Sequence, residues 1–188
     1  MIRNFWDKKA HIYNHFIKKD ARAYEKMYEL MRPVVKGKTV LDLATGTGLI
    51  AGNLVGDAGM IEATDASPAM IAEAKSNYRS AKLHFSVQDM FCMPYVDNTF
   101  DVVIVANALH IVKEPERVLP EIRRVLKKDG ILIAPTFTHS DNRTAGKMCS
   151  APGFLPVNLC GMYPDCRSDG KEPRTAAKPC RVPECTKN

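Results

Sequence analysis

The stretch V40-L-D-L-A-T-G-T-G48 decides the fold of this 188-residue chain. Residues 39–44 form a short apolar run that predicts a buried strand, and the glycines after it predict a tight turn into a helix. A glycine turn lets the backbone approach a ligand closely, and the N-terminus of the following helix offers free N–H groups. The stretch therefore predicts a nucleotide-like ligand at the end of the first strand.

Strands and helices alternate from this stretch onward. Ser67 and Pro68 supply an N-cap and a first helical residue for one of the helices. Alternation of this kind predicts an α/β fold with a parallel, doubly wound sheet. Apolar runs predict strands over 39–44, 59–64, 82–87, 100–106 and 130–137, and apolar residues at helical spacing predict helices over 49–55, 69–78 and 116–128.

Two flanking regions differ from this alternating core. Residues 4–35 are rich in helix formers and aromatic residues and predict one or two helices, so we expect a domain over 1–140 with a helical lid over 4–35. Residues 141–188 contain half of the 12 prolines and five of the six cysteines, without apolar periodicity. We expect an irregular tail there. A zinc site made of tail cysteines is an alternative that their wide spacing disfavours.

Composition narrows the class of protein. The net charge of +6 permits peripheral contact with an anionic membrane surface, but Lys and Arg are scattered among acids, so no nucleic-acid partner is expected. No apolar run approaches the roughly 20 residues that span a bilayer. The placement of the cysteines excludes a disulfide scaffold for the core. We therefore expect a cytoplasmic globular protein without a bound metal.

The glycine turn alone leaves two kinds of cofactor open. G46-T-G48-L-I-A51 also satisfies the dinucleotide fingerprint, with Asp65 at the distance expected for a ribose-binding acid, which would suit a nicotinamide-dependent reductase. Two further acids do not belong to that fingerprint, because Asp42 precedes the glycines and Asp89 follows the third strand. The presence of these two acids makes a dinucleotide the less favoured of the two kinds of cofactor.

Four segments together carry a family resemblance: V40-L-D-L-A-T-G-T-G48, A63-T-D-A-S-P-A-M70, F85-S-V-Q-D-M90 and N107-A-L-H-I-V112. With them the chain resembles class I S-adenosylmethionine-dependent methyltransferases, the group that includes ubiquinone and menaquinone methyltransferases and phospholipid N-methyltransferases. The resemblance covers residues 6–139. It implies a Rossmann-like sheet with the strand order 3-2-1-4-5 and S-adenosyl-L-methionine as cofactor. It also implies further strands after the fifth, whose alternation residues 141–188 do not show.

The resemblance also implies roles for single residues. Asp42 would lie at the methionine end of the cofactor, Asp65 would bind both ribose hydroxyls and Asp89 would accept from the adenine amino group. His110 is the candidate general base, with a structural histidine as the alternative. The expected cofactor-binding residues are Tyr13, Asp42, Ala44, Gly46, Gly48, Asp65, Ala66, Met70, Asp89, Met90 and Asn107.

The sequence thus predicts methyl transfer to a small-molecule or lipid acceptor by in-line displacement. Such a reaction needs positioning and exclusion of water more than a nucleophilic side chain. A nicotinamide-dependent reductase and a methyltransferase-like binding protein with little turnover stay open as alternatives. If residues 141–188 supply no strands, the fifth strand is a sheet edge, and we expect dimers or aggregates through it.

Overall fold

The computed structural model describes residues 21–112 and 114–135. Within these residues, the chain forms five strands, four α-helices and one 3₁₀ turn. The strands are β1 (Thr39–Leu43), β2 (Met60–Asp65), β3 (Leu83–Val87), β4 (Phe100–Ile104) and β5 (Leu126–Ile133). The helices are α1 (Ala21–Val35), α2 (Leu49–Leu54), α3 (Pro68–Asn77) and α4 (Pro115–Val125), and the 3₁₀ turn spans Leu109–Ile111.

The five strands are all parallel and lie in the order β3-β2-β1-β4-β5. The chain winds outward from β1 in one direction through β2 and β3, and in the other through β4 and β5. The predicted doubly wound sheet and its strand order are therefore confirmed. Open sheets of this kind bind ligands outside the carboxyl ends of the strands, where the winding direction changes.

Apolar layers cover both faces of the sheet, because successive residues of a strand point to opposite sides. On one face, Val40 belongs to a core that includes Met31 of α1 and Leu54 of α2. On the other face, Leu41 belongs to a core that includes Ile122 of α4. The two layers hold the strand ends in fixed positions, and those ends carry the loops described below.

The boundary between α4 and β5 differs from the sequence prediction, which was wrong in detail. We expected the helix to reach residue 128 and the strand to cover 130–137, but β5 begins at Leu126, directly after α4. Leu126 pairs with Phe100 of β4 although three charged residues follow it. Local apolar periodicity cannot reveal a pairing between residues so far apart in sequence.

The start of α3 agrees with the sequence prediction. Ser67 Oγ accepts a 3.1 Å hydrogen bond from the N–H of Met70, and Pro68 is the first helical residue. This N-cap fixes the direction in which α3 leaves the end of β2. It thereby places Met70 beside the carboxyl ends of the strands.

Part of the predicted N-terminal helical region is described. Helix α1 contains Pro33 in its last turn and packs through buried residues such as Met27 and Met31. Residues 4–20 and the tail, 141–188, lie outside the described residues. Among the helices of the described part, none combines the length and apolar character needed to cross a membrane.

Candidate functional site

A cavity of about 390 Å³ opens at the carboxyl ends of β1, β2 and β4. Turns after these strands, the start of α3 and the start of α4 enclose it. Six of the expected cofactor-binding residues line it: Ala44, Gly46, Asp65, Met70, Met90 and Asn107. The other lining residues are Phe91, Ala106, Ala108, Ile111, Val112, Glu114 and Arg117.

The turn after β1 brings main chain to the cavity wall. Ala44 and Gly46 have positive φ angles of 54° and 58°, in the left-handed region that side chains disfavour. The N–H of Thr45 donates to the carbonyl oxygen of Thr64 at 2.9 Å, which ties the turn to β2. The turn therefore presents backbone to the cavity in a conformation that the neighbouring strand holds.

Gly48 ends this turn but does not line the cavity. Its φ is 78°, and a Cβ there would lie 2.9 Å from Cζ of Phe85 and 3.0 Å from Cβ of Ala74. Such distances are shorter than ordinary carbon contacts. Glycine at this position therefore allows α2 to start close to Phe85 of β3 and Ala74 of α3.

Asp65 lies at the end of β2 with its carboxylate in the cavity wall. Its Oδ2 accepts from the N–H of Gly46 at 2.9 Å, and its Oδ1 accepts from the N–H of Ser67 at 2.8 Å. An ionised carboxylate has about four acceptor sites, so it can accept from backbone N–H groups and from ligand hydroxyls at the same time. The side chain thus both orders the glycine turn and offers acceptors to a bound molecule.

Asp42 lies behind the glycine turn instead of in the cavity wall. Its side chain is buried, and its Oδ2 accepts a 2.6 Å hydrogen bond from the hydroxyl of Thr45. Burial raises the pKa of Asp42 to about 7; the Thr45 hydrogen bond opposes this rise, and the negative charge of Asp65 adds to it. Asp42 therefore shapes the turn through Thr45.

The segment after β3 contributes Met90 and Phe91 to the cavity wall, while Asp89 turns toward its own backbone. Asp89 Oδ1 accepts from the N–H of Phe91 at 2.9 Å, and the Asp89 carbonyl oxygen accepts from the N–H of Cys92 at 3.1 Å. Asp89 is exposed and lies outside the cavity lining, as does Ala66. The carboxylate fixes the turn that presents Phe91.

Asn107 follows β4 and has a positive φ of 51°. Its N–H donates to the carbonyl oxygen of Pro135 at 2.8 Å, and its side-chain Nδ2 donates to the hydroxyl oxygen of Tyr24 at 3.4 Å. Non-glycine residues adopt this conformation at an energetic cost and concentrate at functional sites. Asn107 thus connects α1 to the cavity wall.

The remaining expected residues are described in part or not at all. His110 lies in the 3₁₀ turn beside Ile111, which lines the cavity, but the structure does not describe its side chain. Tyr13 and the tail cysteines lie outside the described residues. Within the described part, no group of three or more His, Cys, Asp or Glu side chains is arranged to hold a metal ion.

Sequence reasoning missed three wall residues that come together only in the fold. Arg117 Nη1 lies 2.6 Å from Oε2 of Glu114, and the Arg117 guanidinium lies 5.2 Å from the centre of the Phe91 ring. A guanidinium at this distance from an aromatic ring forms a cation–π interaction. In the sequence, the charged residues of α4 have the pattern of a solvent-exposed helix face. No local pattern therefore indicates that any of them line a cavity.

Comparison of the chain with known families identifies the class of protein to which this fold and cavity belong. Residues 41–134 match the methyltransferase domain family. The chain belongs to this family, and the resemblance noted in the sequence is confirmed.

Among curated relatives, the chain is 37% identical over 106 residues to a demethylmenaquinone methyltransferase of Renibacterium salmoninarum. This alignment covers 56% of this chain and 44% of the relative. The chain is also 32% identical over 135 residues to a ubiquinone/menaquinone biosynthesis C-methyltransferase of Azotobacter vinelandii. That alignment covers 68% of this chain and 53% of the relative. The chain spans about half the length of these relatives.

Solved structures agree with the family match. A chain in the complex between the Haloferax volcanii Trm112 methyltransferase activator and a methyltransferase superposes with a TM-score of 0.64 at 28% identity. The superposition covers 71% of this chain and 59% of that one. The Rossmann-like architecture of the described residues is therefore that of known methyltransferases.

Proposed function

We propose that the cavity binds S-adenosyl-L-methionine and that the protein transfers its methyl group to a small, largely apolar acceptor. The observation that carries this proposal is the Asp65 carboxylate at the end of β2, fixed by two backbone N–H groups beside the glycine turn. The methyltransferase domain match over residues 41–134 supports it. It favours methyl transfer over hydride transfer by a nicotinamide-dependent reductase.

The residues present fit such a cofactor. The cavity volume lies within the 300–1,000 Å³ that is typical of small-molecule sites. Asp65 would accept from the ribose hydroxyls, the main chain near Gly46 would lie against the methionine part, and Met70 and Met90 would enclose the adenine ring. S-adenosyl-L-methionine supplies a methyl group that is already activated on a sulfonium, so the chain needs no nucleophilic side chain of its own.

We assign the acceptor to the apolar part of the cavity wall, which lies after β4. Ala106, Ala108, Ile111 and Val112 line it, and Asn107 is the polar residue between the two alanines. An apolar wall excludes water from the acceptor and aligns it with the methyl group, and such alignment accounts for much of the rate in transfer reactions. The relatives named for quinone biosynthesis agree with an apolar organic acceptor.

His110 is the candidate base for an acceptor that must lose a proton. It lies in the 3₁₀ turn that ends at Ile111, on the acceptor side of the cavity. If it takes this role, His110→Asn lowers kcat by about 10²–10⁴-fold and removes the acidic limb of the pH profile of kcat. An unchanged profile would assign His110 a structural role and leave methyl transfer in place.

Binding and turnover distinguish the candidate functions. In a thermal-shift assay, S-adenosylhomocysteine raises Tm and NADH does not, whereas a reductase would show the reverse. Incubation with methyl-labelled cofactor and a cell extract, followed by mass spectrometry, identifies the methylated acceptor. Binding of S-adenosylhomocysteine without any labelled product would favour a methyltransferase-like binding protein instead.

A further inference from the structure

One face of α4 carries Arg117, Glu121 and Arg124, spaced four and three residues apart. At 3.6 residues per turn these side chains lie in one row along the helix. The neighbouring row, Val118, Ile122 and Val125, is buried against the sheet. Helix α4 thus has an apolar side for the core and a charged row beside it.

The charged row holds the segment that links β3 to β4. Arg124 Nη1 donates to the carbonyl oxygen of Tyr95 at 2.6 Å, and its Nη2 donates to the carbonyl oxygen of Met93 at 3.0 Å. Glu121 Oε1 accepts from the N–H of Met93 at 2.8 Å. Arg124 Nη1 also lies 2.8 Å from Oδ1 of Asp97.

Arg124 and Glu121 also hold each other in position. Arg124 Nε donates to Glu121 Oε2 at 2.8 Å, and Nη2 donates to Oε1 at 2.6 Å, so the pair is bidentate. The hydrogen bonds from Arg124 lower the pKa of Glu121, which stays ionised at neutral pH. Their side chains are 30% and 17% exposed, so solvent screens this pair less than an exposed pair such as Lys26 and Glu29.

The segment that they hold follows directly on the cavity wall. Met90 and Phe91 line the cavity, and Met93, two residues after Phe91, donates its N–H to Glu121 and accepts at its carbonyl oxygen from Arg124. Arg117, at the first turn of the same row, lies over the Phe91 ring. The row therefore fixes this wall at two points: at Phe91 through Arg117, which itself lines the cavity, and at Met93 through Glu121 and Arg124, which do not.

We propose that Glu121 and Arg124 are positioning residues, which set the affinity of the cavity for its adenosyl ligand by holding the Met90–Phe91 wall in place. The inference rests on the proposed function. Neither side chain lines the cavity, so Glu121 acts through Met93, and Arg124 acts through Met93 and Tyr95. A lysine at position 124 would keep the charge but could not donate to two carbonyl oxygens and a carboxylate in one plane.

Calorimetry with S-adenosylhomocysteine on the full chain tests this proposal. We expect Arg124→Lys to raise Kd by about tenfold, because small displacements of a binding wall carry such costs. Arg123→Lys is the matched control, since Arg123 is exposed on the same helix and forms no hydrogen bond with the segment among the described residues. Hydrogen exchange should show faster exchange of the Phe91 and Met93 amides in Arg124→Lys alone.

A second control separates positioning from general loss of stability. Val118→Ala removes buried volume from the core side of α4 and leaves the charged row intact. If Val118→Ala and Arg124→Lys lower the urea midpoint equally and also raise Kd equally, the change in Kd follows from lost stability and the proposal is wrong. An unchanged Kd in Arg124→Lys also overturns it. If the unaltered chain does not bind S-adenosylhomocysteine at all, the proposed function itself fails.

Discussion

The hydroxyl of Thr45 donates a 2.6 Å hydrogen bond to Oδ2 of Asp42, from the glycine turn back to the strand that precedes it. The bond joins a buried carboxyl group to a loop whose next residue, Gly46, lines the cavity. Thr45 is also tied to β2 through its N–H. The turn is therefore held from two strands at once.

The raised pKa of Asp42 predicts a pH-dependent stability. Its native pKa of about 7 lies above the ordinary value of 3.8, so the folded chain binds more protons than the unfolded chain between these values. The free energy of unfolding should therefore fall as pH rises through this window, by on the order of 2 kcal/mol between about pH 5 and 8. Asp42→Asn should remove this dependence.

Urea unfolding of both chains at these two pH values checks the Asp42 prediction. Relative to the unaltered chain, Asp42→Asn should gain stability at the higher pH. Parallel pH profiles for the two chains would show that Asp42 titrates alike in the folded and unfolded states.

Gly48→Ala should destabilise the fold by about 1–3 kcal/mol, because a Cβ at φ 78° would lie within 3.0 Å of Phe85 and Ala74. Gly56→Ala is the control, since no atom lies within 4 Å of a Cβ at that position. Thermal unfolding measures both variants. A Gly48→Ala chain with the Tm of the control would contradict this account of the turn.

Replacing Asp65 by Ala should cost about 1.5–3 kcal/mol of affinity for S-adenosylhomocysteine, because charge-assisted hydrogen bonds to partly buried groups are among the stronger ones. Asp65→Asn retains one acceptor oxygen and should lose less. Asp129→Ala, at an exposed site on β5, controls for the change in net charge. If calorimetry gives the same affinity for the unaltered chain and for all three variants, Asp65 does not contribute to binding.

Strand β5 should mediate self-association. Among the described residues it pairs with β4 alone, and Ile131 is 43% exposed. Ile131→Lys should raise the monomer fraction in light scattering, whereas Val96→Lys, at an exposed site outside the strands, should not. A monomeric chain whose β5 amides exchange as slowly as those of β4 would show that this edge is already covered.

The sequence by itself determined the elements whose signals are local. The apolar runs predicted the strands, the glycine turn and Asp65 predicted a site at the end of β1 and β2, and Ser67 with Pro68 predicted the start of α3. Each signal reports the conformation of a few consecutive residues or their burial between two layers. Their order along the chain was enough for the parallel, doubly wound sheet.

Only the tertiary structure decided which side chains meet. Phe91 and Arg117 are 26 positions apart in the sequence, and they adjoin because α4 packs across the segment after β3. The same packing gives Arg124 its contacts with Met93, and pairing with Phe100 starts β5 at Leu126. Contacts between residues so distant in the chain form only when both elements are fixed on the sheet, so local propensity carries no trace of them.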